Sequence, residues 1–332
     1  MTEIHEPPAV PVIDCSAFGS DDVAARRRTA RAVAEACERI GFLVVTGHGV
    51  AQEVVDRAFA VGLSFFDADA QAKRRAAPPQ SIVPRGYHGF ASKRLSRTIG
   101  IETPPDLREQ FYLGPLDDFA DRYAAIPEAG AFYRPNIWPD EPAAFRPVMT
   151  ELYRALEGLS GRLMRGFALG LGIDERFFDD KIDAHFSTCA INHYPAPTRP
   201  PEPGQLRAGA HSDFGSLTIL LTDDAPGGLQ VEAAPGVWHD VRPARGQFVV
   251  NIGDMMARWT NDRWRSTMHR VVNPPTSLAS RSRRQSIAYF LHPNYDATVA
   301  CIPTCVAPGA APTYAPIRAG DHMRMKMERR IG

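Results

Sequence analysis

Apolar side chains recur every three or four residues in some stretches of the chain and gather into short β-rich runs in others, with the change falling near His185. A helix is expected from a Ser20 cap to about Ile40, with Gly41 as its stop. A second carries Val55, Phe59, Leu63 and Phe66 on one face, the stripe of an amphipathic helix. A third and longer helix opens at Asp140 and Pro142. Its apolar positions Phe145, Met149, Leu152, Leu156, Leu159, Leu163 and Phe167 read as core, and Gly170 and Gly172 end it. "PVIDCSAF" and "GFLVVTGHGV" are short strands followed by turns. Residues 76 to 140, rich in Pro, Gly and aromatics, predict loops and short strands.

From His185 the runs "HFSTCAINHYP", "SLTILL", "GLQVEA", "WHDVRPARGQFVVNIGDMM", "STMHRVVNPP" and "RQSIAYFLHP" follow one another between Gly, Pro, Asn and Asp. Strands in quick succession, without crossover helices, predict an antiparallel sandwich or barrel. A short helix follows Gly320. The simplest architecture is a helical N-terminal layer packed on a β-sandwich.

Composition narrows the function. The 332 residues suffice for a large core. Acidic and basic residues cancel at 38 each, without a long run of either sign, which disfavours a nucleic-acid surface. Of the basic residues 34 are Arg and 4 Lys, a coding bias more than a chemistry. The N-terminus lacks the charged and apolar regions of a secretory signal, and no stretch approaches the ~18 apolar residues of a membrane helix. Five scattered cysteines do not look like a disulfide framework. Cys301 and Cys305 either clamp a soft metal or form an idle pair. The expected protein is cytoplasmic and monomeric, with neither nucleic acid nor membrane as partner.

One stretch carries chemistry. In "AGAHSDFGS", His211 and Asp213 stand two apart, so on a strand both face one way and Ser212 the other. His269 follows 56 positions after Asp213 in a β-rich run. Two histidines and a carboxylate on one face, with the opposite face open, make the facial triad of non-haem Fe(II) oxygenases. Zinc is the rival metal, although its catalytic sites more often use three His, or two His with Glu. His48, His185 and His239, in turns or at a strand start, read as structural, and His193 would face away from what Asn192 and Tyr194 contact. In "RRQSIAYF", Arg284 and Ser286 share a strand face. A guanidinium beside a hydroxyl is a receptor for a carboxylate, here that of a dicarboxylate co-substrate held between Arg284 and the metal.

With these residues in place, the chain resembles the isopenicillin N synthase-like family of Fe(II)/2-oxoglutarate-dependent dioxygenases. The resemblance rests on "PVIDCSAF", "GFLVVTGHGV", "RGYHGF" and "DLREQFYLG", then on "INHYP", "HSDFGSLTILL", "GGLQV", "NIGDMM", "HRVVNPP" and "RQSIAYF" in order. It spans about residues 10 to 330. It implies a mostly β fold with flanking helices around a double-stranded β-helix (jelly-roll) core. The core would occupy residues 181–310, after a helical and mixed region at 1–180 and before a C-terminal segment and helix at 311–332. It also implies Fe(II) on His211, Asp213 and His269. 2-Oxoglutarate would lie on Arg284 and Ser286 with a hydrogen bond from Tyr194 and support from Asn192, and O2 would be the oxidant. The reaction would be hydroxylation, desaturation or cyclisation of a small-molecule substrate, with succinate and CO2 released. Relatives that dispense with 2-oxoglutarate or fragment it to ethylene, and a jelly roll that binds a metabolite without catalysis or holds zinc for hydrolysis, are the alternatives. Arg85, Tyr87, Arg97 and Tyr112 come from the segment that often borders the family's pocket. Each of these reads first as a structural or surface residue; if one touches the substrate it is Arg85, with Tyr87, and it would favour a carboxylate.

Overall fold

The computed structural model describes residues 10–79 and 84–331. The strands of the two main sheets are β1 (Val12–Asp14), β2 (Phe42–Thr46), β3 (Gly86–His88), β4 (Glu109–Leu113), β5 (Thr188–Tyr194), β6 (Ala208–His211), β7 (Leu217–Thr222), β8 (Leu229–Ala234), β9 (Val237–Asp240), β10 (Phe248–Ile252), β11 (His269–Val271) and β12 (Arg284–Leu291). The larger sheet runs β1-β2-β10-β7-β12-β5-β4-β3 and the smaller β6-β11-β8-β9. From β5 onward the chain passes back and forth between the two sheets, save for the β8–β9 hairpin, and this alternation is the jelly roll. Pairing is antiparallel throughout these two sheets except between β1 and β2.

The helices are α1 (Val23–Arg39), α2 (Gln52–Asp67), α3 (Ala70–Arg75), α4 (Phe145–Gly170), α5 (Asp254–Trp259) and α6 (Ala319–Ile331). α1 and α2 pack on α4, whose stripe from Phe145 to Phe167 is at most 2% exposed and joins the same core as Leu217, Ile219 and Tyr289 of the large sheet. Burial of this many apolar side chains is the main stabilising term. No helix among the described residues is long and apolar enough to cross a membrane.

Several local expectations change. The N-terminal region is not only a helical layer: β1 to β4 flank the jelly-roll strands of the large sheet on both sides. The cap of α1 is Asp22, whose carboxylate accepts from the Ala25 N–H at 2.9 Å, while Ser20 donates to the Ala17 carbonyl within the preceding turn. α4 starts at Phe145 because residues 140–144 form a bend and turn ahead of it. His239 lies in strand β9 and not in a turn; the turn is made one step earlier by Gly236, at φ +76°.

Candidate metal centre and active-site cavity

β6 and β11 are antiparallel neighbours with His211 and His269 as direct partners, which sets their rings 4.3 Å apart. β6 stops at His211, so Asp213 sits in the turn beyond the strand and not on it. That turn is pinned to the start of α5: the Asp254 N–H donates to the Asp213 carbonyl at 2.8 Å and the Met255 N–H to that of Gly215 at 3.1 Å. Glycine is required on both sides of this contact. A Cβ on Gly253 would fall 2.3 Å from the Gly215 oxygen, and one on Gly215 would fall 2.5 Å from the Leu291 oxygen.

The donor atoms of the three side chains lie within 4.8 Å of one another. His211 Nδ1 bonds the Gly209 carbonyl at 2.8 Å and His269 Nδ1 the Thr267 carbonyl at 3.2 Å. A carbonyl can only accept, so both Nδ1 atoms carry a proton, which leaves each Nε2 as the ring atom that faces the metal position. These Nε2 atoms stand 3.9 and 3.7 Å from Asp213 Oδ1. The other oxygen, Oδ2, accepts from Thr218 Oγ1 at 2.6 Å and from Asn251 Nδ2 at 2.8 Å. Burial and the neighbouring His269 push His211 down to about 3, so it is a neutral imidazole at physiological pH. Burial opposes ionisation of Asp213, but His269, His211 and the two hydrogen bonds outweigh it and hold the carboxyl below its ordinary range. Two imidazoles and one carboxylate, each turning a donor atom toward the others, fit a divalent iron with open positions.

β12 and β5 bring the second cluster together. Their register pairs Arg284 with Tyr194 and Ser286 with Asn192, so all four lie side by side. Arg284 is 3% exposed, its Nη1 has no partner, and its nearest carboxylate, Asp223, is 3.9 Å away. An unsatisfied buried guanidinium is costly and calls for an anion. Tyr194 lies between two cations, with Arg284 at 5.1 Å and Arg207 at 5.7 Å from its ring centre. The Arg207 N–H groups go to the carbonyls of Pro226 and Ser282. Asn192 Nδ2 donates to Ser286 Oγ at 3.4 Å, and its Oδ1 accepts from Gln110 and Arg108 at 2.6 and 3.2 Å.

A cavity of about 390 Å³ opens on the metal side of the jelly roll, walled by His211, Asp213, Arg108, Gln110, Phe290 and, from α6, Met323 and Met327. Arg85 reaches its rim, but its N–H groups donate to the carbonyls of Pro84, Phe132 and Arg134 at 2.9, 2.5 and 3.3 Å. Its guanidinium fills the space over Gly114, where a Cβ would lie 1.8 Å away. Arg85 therefore ties backbone together and does not offer a substrate receptor. Tyr87 is not one either: its hydroxyl donates to Glu109 at 2.5 Å. Arg97 pairs with Glu102 at 2.8 Å, and Tyr112 sits on the cavity wall. His193 turns away from Asn192 and Tyr194 and bonds Glu109 and Arg283. His48 bonds the Gly246 carbonyl and His185 bonds Glu157. Cys301 and Cys305 are free thiols and take part in no metal-holding group among the described residues.

Thr218, Asn251, Arg108 and Gln110 carry no role in the sequence reading. The first two were detectable as polar residues in the apolar runs "SLTILL" and "FVVNI", and the last two as polar residues leading into "FYL".

A metal seat of this donor set, in a jelly roll with a waiting guanidinium beside it, defines a non-haem iron oxygenase with an acidic co-substrate. The comparisons agree. A model of the 2OG-Fe(II) oxygenase superfamily matches residues 185–293, and one for the N-terminal part of the non-haem dioxygenase in morphine synthesis matches residues 10–141. A 2-oxoglutarate-Fe(II) type oxidoreductase of Emericella nidulans is 33% identical over 322 residues, 96% of this chain and 89% of its own. A full-length Neurospora crassa protein, solved in complex with alpha-KG, has a TM-score of 0.85 at 30% identity, covering 98% of this chain and 97% of that one. The same Neurospora protein in complex with alpha-KG and thymine gives 0.83 at 28%, covering 98% of each chain. The chain belongs to the isopenicillin N synthase-like family of Fe(II)/2-oxoglutarate-dependent dioxygenases. It is an oxidoreductase that uses Fe(II), 2-oxoglutarate and O2 to oxidise a small molecule, with succinate and CO2 as co-products.

Proposed function

We propose that His211, Asp213 and His269 hold the iron, and that Arg284 and Ser286 seat the far carboxylate of 2-oxoglutarate with Tyr194 and Asn192 beside it. The observation that carries this reading is the pairing of three converging donor atoms within 4.8 Å of one another with the partnerless buried Nη1 of Arg284. When bound, the iron supplies the oxidative chemistry that couples decarboxylation of the oxo acid to oxidation of a C–H bond. The protein's part is orientation. Gly209 and Thr267 fix the imidazole tautomers, and Thr218 and Asn251 occupy Asp213 Oδ2 so that Oδ1 faces the metal. Arg284 and Ser286 give the co-substrate one direction of entry, and the aromatic and methionine walls keep bulk water from the reacting atoms. Five free thiols, three of them buried, support a cytoplasmic, reducing location.

The test is substitution of each ligand. His211→Ala, Asp213→Ala and His269→Ala should each abolish succinate formation and lower iron stoichiometry while leaving the melting transition cooperative. Wild-type iron content in one of the three removes that residue from the ligand set.

A further inference from the structure

Resting on that reading of the metal-side cavity as the place of the primary substrate, we propose that the substrate is a small carboxylate with an apolar body, and that Arg108 holds its carboxylate. The cavity wall carries Arg85, Lys93, Arg94, Arg97 and Arg108, against one acid among the described lining residues, the metal-facing Asp213. Most of these cations are engaged elsewhere. Arg85 is spent on backbone carbonyls, Arg97 on Glu102, and Lys93 lies 4.1 Å over the Tyr112 ring. Arg94 is half-buried. Arg108 is the one of these placed deep in the wall with bonding capacity left.

Arg108 is 8% exposed. Its Nη1 makes a 3.2 Å bond to Asn192, its Nη2 is 3.5 Å from Asp106, and its Nε has no partner. Burial opposes the charge of Arg108, but Asp106, with Tyr194 and Tyr112, outweighs it, although the Asp106 oxygens also accept the N–H groups of Gly209 at 3.0 Å and Leu95 at 3.2 Å. A buried guanidinium that keeps one N–H unpartnered can still gain from a planar anion that takes two N–H groups at once. Arg108 lines the same cavity as His211 and Asp213, so a carboxylate held there leaves the rest of the molecule on the metal side. Phe186, Phe214, Phe290, Met323 and Met327 give the wall an apolar part, beside polar residues such as Gln110, Thr188 and His292, and about 390 Å³ suits a small metabolite. The hydrogen-bond chain Arg108–Asn192–Ser286 also joins this anchor to the co-substrate seat.

The experiment uses the full chain loaded with Mn(II) and 2-oxoglutarate in place of the reactive iron complex. 2-Oxoglutarate is titrated first by calorimetry, then benzoate, phenylacetate, 3-phenylpropanoate and 2-naphthoate, each beside its primary carboxamide. At least one acid should bind about tenfold or more tighter than its amide, the value of a charge-assisted contact. Arg108→Gln should erase that preference and leave amide binding within twofold, and Arg108→Lys should keep part of it. Arg94→Gln should keep it whole. Amide binding also reports on the fold of each variant; should Arg108→Gln fail to fold, the reduced acid preference of Arg108→Lys decides. Amides that bind as well as acids, no acid that binds, or a preference that survives in Arg108→Gln each overturn the proposal. If 2-oxoglutarate itself fails to bind the Mn(II) protein, the underlying reading of the co-substrate seat fails instead.

Discussion

Replacing Thr218 by valine removes one hydroxyl and leaves the volume of the side chain nearly unchanged. Thr218 on β7 and Asn251 on β10 are direct cross-strand partners, and both donate to Asp213 Oδ2. The Thr218 bond, at 2.6 Å, lies in the range of a hydroxyl given to an ionised carboxylate, and both residues are buried. Loss of such a bond costs about 1.5–3 kcal/mol, and the carboxylate is then less able to stay ionised and oriented for metal. Apparent Fe(II) affinity should fall roughly 10- to 150-fold, in line with the usual effect of removing a residue that supports a ligand. The assay is anaerobic competition with a chromophoric chelator, with a thermal melt as control. Asn251→Leu should act in the same direction, and the double variant should be non-additive because both bonds serve one oxygen. If Thr218→Val binds Fe(II) within twofold of wild type, the idea that Oδ2 is held by protein so that Oδ1 can serve metal is refuted.

Arg284→Ala should raise the 2-oxoglutarate concentration for half-maximal succinate formation by roughly 10- to 150-fold, and Arg284→Lys, which keeps the charge but not the fork, by less; iron content should not change in either. Leu156, fully buried in α4, should cost about 2–5 kcal/mol when cut to alanine, read by denaturant titration, with metal stoichiometry per folded molecule intact. Glu109 is buried, which opposes its charge, but His193, Tyr87 and Lys73 hold its carboxyl below the ordinary 4.5. A depressed folded-state value means that its stabilisation is complete above about that pH and fades as the pH falls through the folded value. Glu109→Gln should therefore lower the melting temperature at neutral pH, and the gap to wild type should close in acid; a gap that widens in acid contradicts the sign.

The candidate metal residues were legible because a strand's two-residue period is visible in sequence and three ligand types with open positions are few. His211 and Asp213 showed that spacing even though Asp213 lies past the strand end, since the Gly215–Gly253 contact that turns it inward is a long-range packing event. Arg284 and Ser286 showed the same period. Ser20 and Asp22 are both good caps, and only the position of the first helical turn decides between them. The structural and receptor readings of Arg85 could not be separated in sequence, which does not reveal that the carbonyls of Phe132 and Arg134 lie around its guanidinium, with Gly114 leaving the room. Nor does an apolar run such as "FLVV" name its partner strand, so the place of β2 inside the large sheet was hidden.

That place has a consequence for synthesis of the chain. Val45 of β2 pairs with Phe248 of β10, about 200 residues later, and Phe42, Leu43, Val44 and Val45 are each at most 4% exposed once folded. Contacts so distant along the chain make folding slow. At the 5–20 residues per second typical of translation, the "FLVV" segment leaves the ribosome roughly ten to forty seconds before its partner exists. Through that interval β1 can cover one of its edges, but the other is the open edge of a strongly apolar strand, the kind of element that recruits chaperones or seeds aggregation. Recovery of soluble enzyme should therefore depend on growth temperature and chaperone supply more than on the stability of the finished fold.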